Sequence, residues 1–225
     1  RLTVVGDSQE NFGPDGNGIE LDRWTRNVDV YSNVLYGNDG QGFVAFQAKD
    51  WRAFDNVIFD NMKSEAHNNY ARPTEALILS YSLVPNDQTE RFIFVDNLLA
   101  SSGRFSGSSD VDIVPVLVDA PTIFWSRLIA NNTLYSANNG DLFNWGFSPD
   151  EIWGPGEIGT DIARWNELKG NGTPDILGNV QMQSLDGIIQ GSDKIDLMQG
   201  GTGDDYLIGG ANADVLIGGA GDDVL

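Results

Sequence analysis

The residues best suited to binding a metal ion lie at the end of the chain, where glycine and aspartate recur every nine positions. Three consecutive units run from Gly200 to Leu225, and a degenerate unit covers residues 191–199. The sixth position of every unit is an aspartate: Asp196, Asp205, Asp214 and Asp223. Carboxylate and carbonyl oxygens are the ligands that Ca²⁺ prefers, and glycine lets a backbone turn its carbonyl groups toward an ion. The spacing therefore predicts a calcium site.

This arrangement resembles the G-G-x-G-x-D-x-U-x pattern of RTX proteins. The resemblance implies a parallel β-roll in which two nonapeptides form one turn, so that Asp196 pairs with Asp214 around one ion and Asp205 with Asp223 around another. The other metal-site residues that it implies are Gly200, Gly201, Gly203, Gly209, Gly210, Asn212, Gly218, Gly219 and Gly221. Asn212 stands where the pattern has glycine, as do Ser192 and Lys194, and sites that use these loops are expected to be weaker.

A flexible linker rich in glycine and aspartate is the structural alternative for this tail. Linkers do not keep aliphatic residues in register, whereas Leu207, Leu216 and Leu225 all occupy the eighth position of their units. RTX proteins are typically exported unfolded and fold on meeting external calcium. The resemblance therefore implies an extracellular, secreted or surface-associated protein with Ca²⁺ as cofactor and partner.

His67 is the only histidine, and its neighbours Tyr70 and Arg72 give it a set of groups for acid–base chemistry. Abstracting the proton at C5 of a uronate needs a base near its operating pH, an acid for the leaving oxygen and a group that stabilises the carboxylate. His67 as base, Tyr70 as acid and Arg72 on the carboxylate are the predicted catalytic residues. An exposed loop with ordinary polar residues is the alternative.

A second polar cluster comprises Asp15, Glu20, Asp22 and Arg23. Carboxylates along one face could bind calcium and bridge to an acidic sugar, although the solvated side of alternating strands is the competing interpretation. Tryptophans in a groove would stack on sugar rings, and packing in the core or at a cap is the alternative for Trp24, Trp51, Trp125, Trp145 and Trp153.

Four segments that share one local pattern are the elements that would position these side chains. Each is a strand, a polar turn residue, a short apolar strand and a polar pair: Val30–Asn38, Ala53–Asn61, Phe94–Ser102 and Phe124–Asn132. The turn residues are Asn33, Asn56, Asn97 and Arg127. Units of about 20 residues or more, with short strands and asparagine turns, predict a right-handed parallel β-helix. A β-sandwich is the alternative, because strand spacing alone does not exclude it.

The predicted architecture is therefore all-β, with a parallel β-helix over residues 1–180 and the RTX β-roll over residues 181–225. A short helix near 161–169 is expected to cap the last coil, since Ile162, Trp165 and Leu168 fall on one face and Asp161 can cap its start. Because both ends of the sequence lie inside predicted strands or repeats, each domain is expected to be truncated at that end.

The stretches "DGNGIEL", "NVDVYSNVLYGNDGQGF" and "DNVIFDN" resemble the asparagine-rich coils of β-helical polysaccharide lyases and mannuronan C5-epimerases. The epimerases also carry RTX modules after a β-helix, so this resemblance implies lyase or epimerase chemistry on an acidic polysaccharide. The sequence lacks the epimerases' Asp-Pro-His-Glu signature, and Gln41 stands before Gly42-Phe43 where pectate-lyase-like coils have lysine. Whether the protein is an enzyme therefore stays open.

The composition limits the classes of partner that the protein can bind. With 33 acidic and 13 basic residues among 225, the net charge is −20, so nucleic acid and anionic membranes are poor partners. There is no cysteine, which excludes disulfides and thiolate metal sites, and no apolar run reaches the roughly 18 residues of a membrane span. Two hypotheses remain: a secreted protein acting on or binding acidic polysaccharide, and a non-catalytic surface-layer or adhesin scaffold that self-associates with calcium.

Overall fold

The computed structural model describes residues 16–62, 74–79, 90–101, 113–118, 127–136, 140–146, 157–170, 172–177, 180–182, 188–191, 196–211 and 214–225. The chain divides into two compact units, Arg1–Ile176 and Leu177–Leu225. Short β-strands make up nearly all of the described regular structure, as the predicted all-β class requires.

The strands and the helix follow one another along the chain in this order: β1 Ile19–Leu21, β2 Arg26–Tyr31, β3 Val34–Tyr36, β4 Phe43–Phe46, β5 Lys49–Phe54, β6 Val57–Phe59, β7 Thr74–Leu79, β8 Glu90–Val95, β9 Leu98–Ser101, β10 Val114–Val118, β11 Arg127–Ala130, β12 Thr133–Ser136, β13 Phe143–Trp145, β14 Glu157–Gly159, α1 Ile162–Lys169, β15 Ile176–Leu177, β16 Val180–Met182, β17 Ile188–Gln190, β18 Leu197–Gln199, β19 Tyr206–Ile208 and β20 Val215–Ile217.

Three sheets take the strands of the first unit in rotation. Sheet A has the order β1-β4-β7-β10-β13-β14, sheet B the order β11-β8-β5-β2 and sheet C the order β15-β12-β9-β6-β3. Neighbouring strands are parallel in every described pair of these sheets except β13 with β14, which are antiparallel. A β-sandwich is built from antiparallel pairs, so parallel pairing removes that alternative for the described sheets.

Side chains that alternate along these strands build the core of the first unit. In sheet A, Phe43 stands next to Ala76, and Ala76 next to Val116, and all three are buried. In sheet B, the rings of Trp51 and Phe92 stack with their centroids 4.7 Å apart. Stacking residues of one kind on adjacent strands buries each side chain against those of the neighbouring strands, which stabilises short strands that could not stand alone.

A ladder of amides runs between sheets B and C. The backbone N–H and Nδ2 of Asn33 both donate to Oδ1 of Asn56, at 3.1 and 3.0 Å. Asn56 donates in the same way to Asn97, and Asn97 to Asn132. At the end of the ladder, Oδ1 of Asp175 accepts from the backbone N–H of Asn132 at 2.7 Å. The three inner asparagines are each 1% exposed, so the ladder satisfies polar groups that burial would otherwise leave unpaired.

The backbone makes the same sharp turn before each rung of this ladder. The residue that precedes each asparagine has a left-handed conformation, with φ between 53° and 57°: Ser32, Asp55, Asp96 and Asn131. This conformation costs roughly 1–2 kcal/mol for a residue with a Cβ. The recurring hydrogen bonds of the adjacent asparagine offset that cost.

The prediction that Arg127 is the turn residue of the fourth segment is wrong. Arg127 lies in β11, opposite Phe92, and the fourth rung is Asn132, five residues later. The sequence segment around Arg127 repeats the local pattern of strand and polar residue, but a rung must both donate and accept. Arginine has no acceptor, so its side chain cannot continue a ladder of amides.

Helix α1 closes the end of this ladder. Oδ1 of Asp161 accepts from the backbone N–H of Ala163 at 2.8 Å, which caps the first turn. Trp165 is buried in the core, with Ile162 and Leu168 partly buried against it. The face that the sequence pattern assigned to the core is therefore the face that packs there, and it brings Trp165 within reach of Asp175.

Candidate metal centre

Three of the four described pairings in the second unit have a spacing of eighteen residues: β17 with β19, β18 with β20, and Tyr206 with Val224; β16 pairs with β18 at seventeen. Sheet D has the order β16-β18-β20 and sheet E pairs β17 with β19, all in parallel. Leu197 stands opposite Val215, and Tyr206 stands opposite Val224 in an isolated bridge. Eighteen residues are two nonapeptides, so alternate repeats enter alternate sheets and equivalent turns stack two repeats apart.

Two rows of turns result from this stacking. The Asp205 row consists of the turns of residues 200–205 and 218–223. The Asp196 row is named for the sequence segments 191–196 and 209–214, of which the structure describes residues 191, 196, 209–211 and 214. In the Asp205 row, the backbone N–H of Asp205 donates to Oδ1 of Asp223 at 2.9 Å. In the Asp196 row, the backbone N–H of Asp196 donates to Oδ1 of Asp214, also at 2.9 Å. The structure therefore brings together the two aspartate pairs that the RTX resemblance implies.

Glycine is required in the Asp205 row because successive turns lie in close contact. Gly219 and Gly221 have φ of 109° and 141°, and a Cβ on either would collide with the carbonyl oxygen of Gly201 or Gly203 in the turn below. Carbonyl oxygens of one turn thus point at the backbone of the next. Oxygens in this arrangement are ligands that Ca²⁺ can use.

One carboxylate oxygen in the Asp205 row has no hydrogen-bond donor. Asp205 is 2% exposed, its Oδ2 accepts from the backbone N–H of Gly201 at 2.8 Å, and its Oδ1 is buried without a partner. A buried acceptor that lacks a partner costs about 1–3 kcal/mol, and more when it is charged. A cation beside Oδ1 would remove this cost, so the row fits a calcium ion chemically.

Carboxylates alone do not make a complete coordination shell here. Within the described ranges, no three side chains of histidine, cysteine, aspartate or glutamate converge on one point. Ca²⁺ takes 6–8 oxygens, so backbone carbonyls would have to supply most of the ligands. The stacked glycine turns are the part of the chain that can do so.

Several predicted site residues fall outside the described part of the chain. These are the catalytic candidates His67, Tyr70 and Arg72, together with Asp15, Trp125, Trp153 and the repeat residue Asn212. The remaining predicted metal-site glycines, Gly200, Gly209, Gly210 and Gly218, lie in the stacked turns; Gly200 donates its N–H to the carbonyl oxygen of Ile217 at 2.8 Å.

The described members of the second polar cluster have separate partners. Glu20 accepts from Nδ2 of Asn17 at 3.0 Å, and Nε of Arg23 donates to Oε1 of Gln47 at 2.6 Å. Asp22 accepts from the backbone N–H of Arg23. Of the described tryptophans that the sequence singled out, Trp51 and Trp145 are buried, whereas Trp24 is 72% exposed.

Sequence reasoning missed a buried charged cluster below helix α1. Oδ2 of Asp175 accepts from Nε1 of Trp165 at 2.6 Å, and Nζ of Lys169 lies 3.9 Å from Oδ1. Nζ also donates to the carbonyl oxygens of Ile129 and Thr173, at 2.8 and 3.0 Å. Burial raises the pKa of Asp175 and lowers that of Lys169, since both charges are removed from water. Nothing in the local sequence distinguishes this pair from surface residues.

Sequence reasoning also left out a second pair of aspartates in the repeats. The backbone N–H of Asp222 donates to Oδ1 of Asp204 at 2.8 Å, so these fifth-position residues stack like their sixth-position neighbours. The signal was visible in the repeated G-D-D of the Asp205 row.

Comparison with known families finds the RTX calcium-binding nonapeptide repeat in four copies over residues 190–225. Such repeats bind Ca²⁺ and are typical of secreted proteins. Comparisons with curated proteins and with solved structures gave no match. In the described residues, no helix has the length and apolar character to span a bilayer.

Proposed function

We propose that the chain is an extracellular calcium-binding protein in which residues 1–180 form a right-handed parallel β-helix and residues 181–225 an RTX β-roll. The rotation of successive strands through sheets A, B and C supports the β-helix, because a chain that winds around three faces produces this order. The eighteen-residue spacing of the repeat strands supports the β-roll.

The observation that carries the calcium proposal is the buried, unpaired Oδ1 of Asp205. The proposed ligand-bearing residues are the four aspartates Asp196, Asp205, Asp214 and Asp223 and the glycine-rich turns that precede them. Bound Ca²⁺ supplies positive charge between carboxylates that repel one another when the ion is absent. We therefore expect the repeats to loosen without calcium.

A calcium titration of the intact chain tests this proposal. Far-UV circular dichroism should gain strand signal as calcium rises, isothermal titration calorimetry should record binding heat, and magnesium should reproduce neither at equal concentration. Magnesium demands a smaller octahedral shell with several waters, which carbonyl-lined turns do not match. Absence of both signals at millimolar calcium would contradict the proposal.

Within this proposal the β-helix acts on or binds an acidic polysaccharide, with His67, Tyr70 and Arg72 as base, acid and carboxylate partner. An exposed surface on sheet B is compatible with sugar binding. The rings of Tyr31 and Phe54 stack 5.2 Å apart, and the guanidinium of Arg52 lies 5.7 Å from the centre of the Phe54 ring. Tyr31 is 57% exposed, so an aromatic face and a cation lie side by side at the surface.

Incubation with alginate or pectate in the presence of calcium tests this activity. A lyase would raise the absorbance of unsaturated uronates, and an epimerase would change the uronate ratio seen by proton NMR. His67→Ala should abolish either activity, whereas Asn68→Ala serves as the control in the same segment. Unchanged turnover in His67→Ala would remove that residue from the mechanism.

The second candidate function is a non-catalytic extracellular scaffold that calcium makes rigid. The observation that favours it lies on sheet A, where a row of side chains outside the main core is apolar and buried: Val44, Leu77 and Leu117. The described strands of this sheet therefore offer no polar groove to a sugar chain along that row. Calcium-dependent assembly in sedimentation velocity would support this function, and a permanent monomer at millimolar calcium would contradict it.

A further inference from the structure

We infer that the two rows of repeat turns are unequal, and that the Asp205 row is the tight calcium site of this chain. Asp204 and Asp222, which lie outside the consensus aspartate position, raise its affinity. This inference rests on the proposed calcium binding and adds an order of filling and two residues that determine affinity.

The two rows differ in the glycines of their turns. Both of its turns have glycine at the fourth position, at Gly203 and Gly221, where any Cβ on Gly221 would strike the carbonyl oxygen of Gly203. The Asp196 row has Lys194 and Asn212 at the matching positions. Close stacking of carbonyl oxygens therefore extends through the whole Asp205 row, whereas the sequence of the Asp196 row departs from it twice.

The two rows also differ in formal charge. The Asp205 row contains Asp204, Asp205, Asp222 and Asp223, a formal charge of −4. The Asp196 row contains Asp193, Asp196 and Asp214 against one lysine, Lys194, so −3 and +1 give −2. Calcium affinity is tuned by the number of charges around the ion and by the rigidity of the site. Both quantities favour the Asp205 row.

The Asp205 row contains a buried carboxylate oxygen that has no hydrogen-bond donor. Oδ1 of Asp205 is buried and unpaired, although Oδ2 of the same group accepts from Gly201. Asp196 is as deeply buried, at 1% exposed, but its carboxylate is not among the unpaired groups of the described chain. The demand for a cation is therefore greatest beside Asp205.

The exposed carboxylates of Asp204 and Asp222 raise the calcium affinity of the Asp205 row through their negative electrostatic potential. The backbone N–H of Asp222 bonds to Oδ1 of Asp204, which holds the two side chains on adjacent turns next to the buried pair. A carboxylate that lies several ångströms from a divalent ion attracts the ion and stabilises its bound state, even when water lies between them. Removing both charges while keeping the hydrogen-bonding oxygen should weaken the tight site about tenfold.

Calorimetric calcium titrations of four versions of the intact chain test this inference: the natural chain, Asp205→Asn, Asp196→Asn, and Asp204→Asn combined with Asp222→Asn. Loss of the tight component is expected in Asp205→Asn, and its retention in Asp196→Asn. The double variant should keep the tight component with a dissociation constant about tenfold higher at low salt, and the difference should shrink as salt screens the charges.

The outcomes separate this inference from the proposal beneath it. If the natural chain binds no calcium, the proposed function fails and the inference with it. If the natural chain binds calcium but Asp205→Asn and Asp196→Asn lose equal affinity, or Asp196→Asn alone loses the tight component, only the inference is overturned. If Asp205→Asn does not fold, the double variant decides, because its two side chains are exposed; an unchanged dissociation constant there overturns the inference.

Discussion

Replacing Asp175 by asparagine should lower the free energy of unfolding by about 3 kcal/mol, because it breaks a buried ion pair while leaving the cation in place. The carboxylate of Asp175 accepts from Trp165 at 2.6 Å and from Asn132 at 2.7 Å, and faces Lys169 at 3.9 Å. An amide at this position keeps one oxygen for Asn132. Its nitrogen, however, meets the indole N–H of Trp165, so two donors face each other.

The magnitude follows from the contacts that remain. Removing one partner of a buried pair costs about 3–5 kcal/mol because the other charge is left uncompensated. The Nζ atom of Lys169 still donates to the carbonyl oxygens of Ile129 and Thr173, which lessens the penalty. The raised pKa of Asp175 also means that the natural carboxylate is itself penalised by burial. Both effects place the expected cost near the lower end of the range.

Guanidinium denaturation of the calcium-loaded chain measures this cost. The matched control is Glu167→Gln on the same helix. The Glu167 side chain is 71% exposed and forms an ion pair with Arg164 across one turn, so this change should cost at most about 0.5 kcal/mol. Combining Asp175→Asn with Lys169→Met removes the stranded cation. The double variant should therefore lose less than the sum of the single losses, with a coupling of about 1–3 kcal/mol.

The stability difference between the natural chain and Asp175→Asn depends on pH. Because burial raises the pKa of Asp175, the folded state holds this proton more tightly than the unfolded chain, whose aspartates have a pKa of about 3.9. The resulting stabilisation is present below the unfolded pKa and is lost as pH rises through the folded-state pKa. The advantage of the natural chain over Asp175→Asn should therefore grow as pH falls from neutral toward 4. A cost equal to that of Glu167→Gln, or an advantage that shrinks on acidification, would refute the reasoning.

Three further predictions concern the ladder, the stacked turns and the surface. Asn97→Ala should destabilise the chain by about 2–4 kcal/mol, since it leaves buried groups of two neighbouring rungs unpaired, and denaturation midpoints will measure this. Gly219→Ala should weaken calcium binding in calorimetry because its Cβ strikes the carbonyl below, whereas Thr202→Ala, on an exposed side chain, should not. Arg52 lowers the pKa of Asp29 through a hydrogen bond, so this stabilisation is present above the unfolded pKa and lost as pH falls below about 4. In Arg52→Met the free energy of unfolding should therefore fall less steeply as the pH drops below about 4. An unchanged pH dependence would contradict the role given to Arg52.

The repeat spacing of the tail was readable from the sequence because its requirements are local. A turn that stacks on another turn needs glycine where the two backbones are in close contact, and aspartate where oxygen atoms surround an ion. Both residue types recur at fixed positions around Gly219 and Asp205. The rungs at Asn33, Asn56 and Asn97 were readable for a similar reason, since each follows a short strand and precedes an apolar one.

What the sequence did not reveal depends on partners distant in the chain. The fourth rung was misplaced at Arg127 because its local pattern fits, and only the hydrogen bond between Asn97 and Asn132 identifies the true residue. The ion pair of Asp175 with Lys169 could not be predicted from the sequence either, because both groups are buried only through the packing of α1 on the core. The catalytic set around His67 stays a prediction, since it lies outside the described residues.

The amide ladder has a direction, and this direction limits how the protein can change in length. Every rung donates toward the C-terminal side, from Asn33 through Asn132, and the series ends on a carboxylate that only accepts. A duplicated set of strands inserted between two rungs would fit if it supplied one asparagine at the turn. Strands added after Asp175 would receive no hydrogen bond from its ionised carboxylate, and its backbone N–H already donates to Oδ1 of Asn166 at 2.8 Å. Duplication is therefore compatible with the ladder between its rungs but not beyond Asp175.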